Sequence, residues 1–403
     1  MRRGSVALAI VLLCALVLAG CTPTAVRRAS GGAANVLTNA AFYSLPKDVS
    51  PAVPGTIFRK QKLLGAPNGA IAWRVIYHSR DLSGRDILVS GVVISPTSTP
   101  PTGGRTIVAW GHPTTGAAQH CGPSSNIAPF DVIEGLTTLL AAGYLVTATD
   151  YPGMGVAGPD SYLIGVSEGN SVLDSARAAR NIAAAHASSK LLLWGHSQGG
   201  QAALFAAELA PAYSPDLHLE GVAVAAPATD LGALLKDDIG DVSGITIASY
   251  AFQAFSTVYK PTVPGTSLDT ILTPAGVKAT PIMAKLCLVS GHVALHSLAG
   301  QLLGGYLAGD PATSQPWATL LQQNTPGQQP LTVPLLVAQG EIDTLVRPSA
   351  TATFVTHECS IGTRVDFIRI PKTGHGLVAL RAMPSVMKFF AQLSDGSTPG
   401  SVC

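Results

Sequence analysis

Beyond its first forty residues the chain alternates between short, dense apolar runs and longer stretches of helical periodicity. β-Branched and apolar runs at 72–78, 86–94, 105–110, 144–149, 190–194, 219–225, 334–338 and 364–370 predict strands. The later ones are nearly continuous apolar segments bounded by Gly or Pro, the pattern of parallel strands buried on both faces. Between them, 167–187, 201–210 and 377–393 carry helical spacing. Strand and helix in alternation predict an α/β fold, a mostly parallel central sheet with helices on both faces. The alternation stops over 228–330, where Pro and Gly are frequent and strand patterning is weak, so this segment is expected to be an inserted helical cap. Apolar stretches at 280–289 and 293–306 would supply short cap helices with one face on the core. The core then comprises two parts, 47–227 and 331–403.

The amino terminus follows a different rule. Arg2 and Arg3 precede an uncharged apolar run of 14 residues, 6–19, too short to span a bilayer and matched to a signal peptide over 1–20. It ends Leu18-Ala19-Gly20-Cys21, which resembles the lipobox of bacterial lipoproteins and implies lipidation of Cys21. An extracytoplasmic protein held on the outer face of the cell membrane is expected, or a secreted one if Cys21 stays unmodified. Residues 21–46 are rich in Ala, Thr, Ser, Gly and Asn without sustained period and read as a flexible tether, reaching about 25 to 30 Å as a coil.

Composition narrows the function. With 47% hydrophobic and 12% charged residues the chain must fold around a substantial core, and 25 Lys+Arg against 23 Asp+Glu offers no basic excess for nucleic acid. Losing Arg2 and Arg3 with the signal leaves 23 of each sign. Of six cysteines, Cys14 goes with the signal and Cys21 to lipid. Cys121, Cys287, Cys359 and Cys403 remain, an even set that outside the cytoplasm suggests two disulfides, with three connectivities open.

The chemistry concentrates at three strand ends. Leu191-Leu192-Leu193-Trp194 runs into Gly195-His196-Ser197-Gln198-Gly199 and then a helical stretch, which is Gly-x-Ser-x-Gly in the strand–turn–helix setting of a nucleophile elbow. Tiny residues two before and two after the serine admit the strained turn that lifts its hydroxyl clear. Ser197 is the expected nucleophile, and His196 a packing residue. An acid and then a histidine should follow at later strand ends. After 334–338 comes Gln339-Gly340-Glu341-Ile342-Asp343, where Asp343 is preferred over Glu341, which lies too close to the strand. After 364–370 comes Thr373-Gly374-His375-Gly376, and His375 is the expected base. His112, His120, His292, His296 and His357 fall before the acid, in the cap, or ahead of the last strand.

An acyl-transfer site also needs two amide donors for an oxyanion. Gln198 supplies one, and the loop Gly111-His112-Pro113-Thr114-Thr115-Gly116 the other, with Thr115 preferred and Thr114 the alternative. Gly153-Met154-Gly155-Val156-Ala157-Gly158 matches a dinucleotide fingerprint only as a string, because Pro159 and Asp160 stand where its helix should run. His292 and His296 lack the glutamate of a metalloprotease motif. No cofactor and no metal are expected.

Over about residues 42–403 these motifs resemble the fungal and actinobacterial secretory lipases, the family of Candida antarctica lipase A. The resemblance implies an α/β-hydrolase fold with a helical cap ahead of the acid strand, a Ser197–His375–Asp343 triad, and oxyanion amides at Gln198 and Thr115. It also implies the pairings Cys121–Cys287 and Cys359–Cys403. The lipobox and Gln198 after the serine depart from the fungal pattern. The expected function is a serine esterase or lipase acting on carboxylic esters such as acylglycerols through an acyl-enzyme. An acyltransferase sharing that intermediate, or an inactive lipid-binding lipoprotein, are the alternatives. Partners are limited to the ester substrate and the membrane surface, with no nucleic acid and a monomer expected.

Overall fold

The computed structural model describes residues 23–403. The signal segment 1–20 and Cys21 lie outside the described residues. Among the described residues nine strands form one sheet: β1 (Ile57–Leu63), β2 (Ala70–Arg80), β3 (Asp86–Pro96), β4 (Arg105–Gly111), β5 (Leu145–Thr149), β6 (Ala187–His196), β7 (His218–Ala225), β8 (Leu335–Gly340) and β9 (Val365–Ile370), in the order β1-β2-β3-β5-β4-β6-β7-β8-β9. The first three pair antiparallel, β3 meets β5 antiparallel, and every pairing from β5 to β9 is parallel. This is the α/β-hydrolase architecture expected from the sequence. All eight expected strands form, and β1 is additional, because its polar IFRKQKL face at the sheet edge carries little apolar signal.

Parallel strands bury both faces, and two apolar clusters sandwich the sheet. One gathers Leu191, Leu193, Val222 and Val224 under the helices Gly165–Arg180 and Gln198–Tyr213. The other gathers Leu192, Trp194 and Ala223 under the final helix His375–Asp395. Because β5 and β6 flank β4 on opposite sides, the strand order reverses there and opens a crevice at the carboxyl ends of the strands.

The periodicity of 167–187 predicts one helix, but the helix ends at Arg180. The alanines 183–185 form a single tight turn, and His186 adopts a left-handed conformation that returns the chain to the sheet, its carbonyl accepting from the Arg105 amide at 2.7 Å. Alanine propensity yields there to the re-entry of β6 beside β4. The helix Pro348–Ile361 has no counterpart in the sequence pattern, since its Ser, Thr and Ala residues are nearly uniform around the axis.

Within the expected tether, 21–46, the described residues from Pro23 onward differ more. The composition predicts a tether, whereas Pro23–Leu37 and Asn39–Tyr43 are helices docked on the sheet edge. Asn35 exchanges two hydrogen bonds of 3.1 Å with the Leu64 backbone, and Asn39 donates to the Ser125 carbonyl at 2.7 Å. Arg74, 1% exposed, lies over the Phe42 ring at 4.3 Å. Gly31 and Gly32 read as flexibility but permit close approach: a Cβ at Gly32 would stand 2.0 Å from the Ile127 carbonyl oxygen. From Pro23 to Tyr43 the chain is therefore not a free coil.

Between β7 and β8 the chain leaves the sheet and builds the cap around its own apolar cluster, with Phe252 edge-on to Trp317 at 5.4 Å. The expected stretch at 293–306 overlaps the helix His292–Gly300, whereas that at 280–289 shares only residues 280–283 with the helix Pro274–Met283 and continues as turns. The longest cap helix, Val242–Tyr259, is not predicted by the sequence pattern, because apolar residues surround it on most sides.

Candidate active site

β6 delivers Gly195 and His196 to the sheet edge, and Ser197 turns the chain into the helix Gln198–Tyr213 at φ 57°, ψ −119°. That φ lies in a region costly to a residue with a Cβ, so the turn must be held from outside. The Ser197 amide donates to the Ala225 carbonyl at 3.0 Å, and the Ser197 carbonyl accepts from Gly200, Gln201 and Ala228. A Cβ at Gly195 would stand 2.0 Å from the Gly199 oxygen, and one at Gly199 1.9 Å from the Gly111 oxygen. The elbow thus needs glycine at three places. Gly111, contributed by β4, is the one that the motif string does not contain.

β8 carries the acid. Its last residue, Gly340, would clash with the Thr373 carbonyl at 2.2 Å if it bore a Cβ, so the acid and histidine loops press together there. Asp343 is 4% exposed; its Oδ1 accepts the amides of Leu345 and Val346 at 2.9 Å each. Gln339 donates to Oδ2 at 3.4 Å. Glu341 is solvent-exposed. His375 opens the last helix, its Nδ1 lying 2.8 Å from Asp343 Oδ2 and its Nε2 2.9 Å from Ser197 Oγ. Three side chains from three strand ends therefore form one continuous hydrogen-bonded chain. An imidazole anchored to a carboxylate through Nδ1 presents Nε2 as an acceptor to a hydroxyl, the arrangement that makes serine nucleophilic.

His196 does more than fill space. Its ring lies tilted at 42° against that of His375 with centroids 4.9 Å apart, and Glu134 Oε2 holds its Nδ1 at 2.8 Å. Adjacency in the elbow motif drew attention to His196, but Glu134 carried no sequence signal. The remaining histidines serve elsewhere. His112 is buried against Tyr151, His357 reaches the Gly327 carbonyl, and His120, His292 and His296 are exposed.

The first helical turn after Ser197 leaves the Gln198 amide without an intrahelical acceptor, free to face an oxyanion. On the β4 loop the two threonine side chains face different ways. Thr115 turns toward the disulfide, its hydroxyl donating to the Cys121 carbonyl at 3.1 Å and its own carbonyl accepting from Leu288 at 2.9 Å. Thr114 instead lines the pocket beside Ser197, with its hydroxyl 2.7 Å from that of Tyr162. The Cys121–Cys287 and Cys359–Cys403 disulfides are both formed. The first staples the cap to this loop. His120 lies beside the Cys121–Cys287 sulfurs, but sulfurs tied in a disulfide offer no thiolate to a metal.

Above Ser197 a pocket extends under the cap, walled by Leu231, Leu234, Ile247, Ala251, Phe252 and Leu321. Asp238 at its mouth is pushed up to about 7 by burial and by the neighbouring Asp241 carboxylate, against the opposing pull of Arg347.

The chain is similar to several known proteins. Lipase A of Moesziomyces aphidis is 23% identical over 400 residues, covering 90% of this chain and 81% of that protein. The structure of Candida antarctica lipase A in its closed state superposes with a TM-score of 0.73 at 20% identity, over 90% of this chain and 87% of that one, a likeness of fold. A Mycobacterium tuberculosis protein described as a probable inactive lipase is 27% identical over 208 residues, covering 47% of this chain and 46% of that protein. The family model named Secretory lipase matches residues 131–401, which include the elbow, the acid loop, the histidine loop and the whole cap, and the chain therefore belongs to the secretory lipase family.

Proposed function

We propose that this protein is an extracytoplasmic serine hydrolase of lipid carboxylic esters. The observation that carries the reading is the Asp343–His375–Ser197 chain, with links of 2.8 and 2.9 Å, at the foot of an apolar pocket. His375 Nε2 takes the Ser197 proton as Oγ attacks the ester carbonyl, and the carbonyl π electrons move onto oxygen. The Gln198 amide and one from the β4 loop hold that oxyanion, with Thr114 rather than Thr115 facing the ester. Collapse returns the electron pair and expels the alcohol, which takes its proton from His375. Water, deprotonated by His375, then releases the acid and regenerates Ser197. Asp343 fixes the imidazole tautomer and stabilises the imidazolium throughout.

The pocket wall suits an acyl chain: its Leu, Ile and Phe side chains would each gain about 25 cal/mol per Å² of chain surface removed from water. A fluorophosphonate probe should label Ser197, and a panel of esters from acetyl to oleoyl should be hydrolysed with release of free acid. An unlabelled Ser197 would favour the inactive lipid-binding alternative. Acyl transfer to added glycerol outrunning hydrolysis would favour a transferase.

Two disulfides suit an oxidising compartment. Among the described residues no helix is long and apolar enough to cross a membrane. Attachment in this reading rests on lipid at Cys21. Cys21→Ser is expected to move the protein from the membrane fraction into the medium; retention at the membrane would exclude the lipid anchor.

A further inference from the structure

Directly behind the elbow, Glu168 stands in the first turn of the helix Gly165–Arg180 and is 0% exposed. Its Oε1 accepts the Leu163 amide at 3.0 Å and the Gln198 Nε2 amide at 2.7 Å. Its Oε2 is buried and has no donor. Gln198, 1% exposed, mirrors this: Nε2 is used, while Oε1 is buried without a donor. Two facing groups joined by one hydrogen bond thus each keep one orphaned oxygen, and an unpaired buried acceptor costs about 1 to 3 kcal/mol. One proton resolves both. A carboxylic acid and a primary amide close an eight-membered ring in which N–H donates to one carboxyl oxygen and O–H donates back to the amide oxygen.

We propose that Glu168 and Gln198 form such a closed acid–amide pair, with the Glu168 Oε2 proton donated to Gln198 Oε1, and that the pair positions the turn bearing the oxyanion amide. This rests on the reading of Ser197 as nucleophile. The surroundings favour the neutral acid: burial drives the Glu168 carboxyl well above the usual carboxylate range, and the groups acting on it are Gln198, Leu163 and Asp160, none of them cationic. Asp160 is itself pushed up to about 7 by burial, and the hydroxyls of Tyr151 and Tyr162 are raised by burial too. From the cap, Asn324 approaches through the Gly165 amide and the Tyr259 hydroxyl, both neutral. Glu168 also orders the pocket wall, because Leu163, which it holds by its amide, lines the pocket at φ 56°. One carboxyl thereby couples the oxyanion turn to the acyl wall.

The pair has a pH signature. Above the raised value the proton leaves, the bond to Gln198 Oε1 is lost, and a negative charge appears behind the developing oxyanion, so kcat should fall on the alkaline side. Between the ordinary carboxylate range and the raised value, the folded state holds a proton that the unfolded chain has released, so stability should decline as pH rises. Glu168→Gln keeps both hydrogen bonds, since its amide can donate to Gln198 Oε1, but cannot ionise.

The test compares wild type, Glu168→Gln and Glu168→Leu. A protonated carboxylic-acid carbonyl band at neutral pH in the wild-type-minus-Glu168→Gln infrared difference spectrum is expected, whether or not the protein hydrolyses any ester tried. Glu168→Gln should retain kcat within about twofold at pH 7 and lose the alkaline decline, whereas Glu168→Leu should lower kcat about tenfold with KM little changed, a partial loss of oxyanion donation. A carboxylate band in place of the acid band overturns the pair. So does Glu168→Gln failing as badly as Glu168→Leu, or an alkaline limb identical in wild type and Glu168→Gln. Should Glu168→Leu not fold, the spectrum and the Glu168→Gln profile decide alone. Absence of all esterase activity with the acid band present would reject the proposed function and leave the pair standing.

Discussion

Ser197→Ala should abolish turnover of short nitrophenyl esters, lowering kcat by about 10⁵- to 10⁶-fold, while the melting temperature stays near that of the wild type. The loss is large because no group near Ser197 can replace its Oγ: His375 Nε2 points at that atom, 2.9 Å away. The stability change is small because the backbone strain at φ 57° is the same for alanine and serine, and the Ser197 amide and carbonyl bonds that hold the turn do not involve the side chain. What disappears is one hydrogen bond to a partly exposed imidazole, worth about 1 kcal/mol. Turnover within tenfold of wild type would remove Ser197 from the chemistry.

Asp343→Asn should cost about 10⁴-fold in kcat with little change in KM. The geometry dictates how the new amide must sit. Leu345 and Val346 both donate to Oδ1, so the carbonyl oxygen of asparagine is drawn to that side. Its NH₂ then faces His375 Nδ1, which must become an acceptor, leaving the proton on Nε2. A protonated Nε2 cannot take the serine proton. Glu341→Gln, on the same loop but exposed, should leave kcat unchanged. Equal losses in the two variants would mean that the loop rather than the Asp343 carboxylate matters.

Much of this site was legible one strand end at a time. Ser197, Asp343 and His375 each sit where an apolar strand runs into a loop, and chain order alone ranks Asp343 and His375 above their competitors. The exposed position of Glu341 agrees with the argument that it lies too near the strand. The oxyanion loop is less legible: two adjacent threonines look alike in the sequence, and only packing turns the Thr115 side chain to Cys121 and the Thr114 side chain to the pocket. Glu168 and Glu134 carried no signal, since a carboxylate in a helical or loop segment ordinarily reads as surface. The docked helix Pro23–Leu37 was hidden by small residues, which in a one-dimensional reading suggest slack and in three dimensions allow contact.

By itself the sequence determined the parallel sheet, its cap insertion and the three residues at the crevice, because strand periodicity, glycine punctuation and chain order are local or ordinal properties. Only the tertiary structure decided which threonine faces the pocket, which buried carboxyl meets Gln198, and that the amino-terminal segment is docked. Those depend on contacts between segments remote in the chain, such as Glu134 with His196 and Gly32 with Ile127. Burial, the quantity that turns a glutamate from a solvated charge into a neutral proton donor, exists only once such segments have packed together.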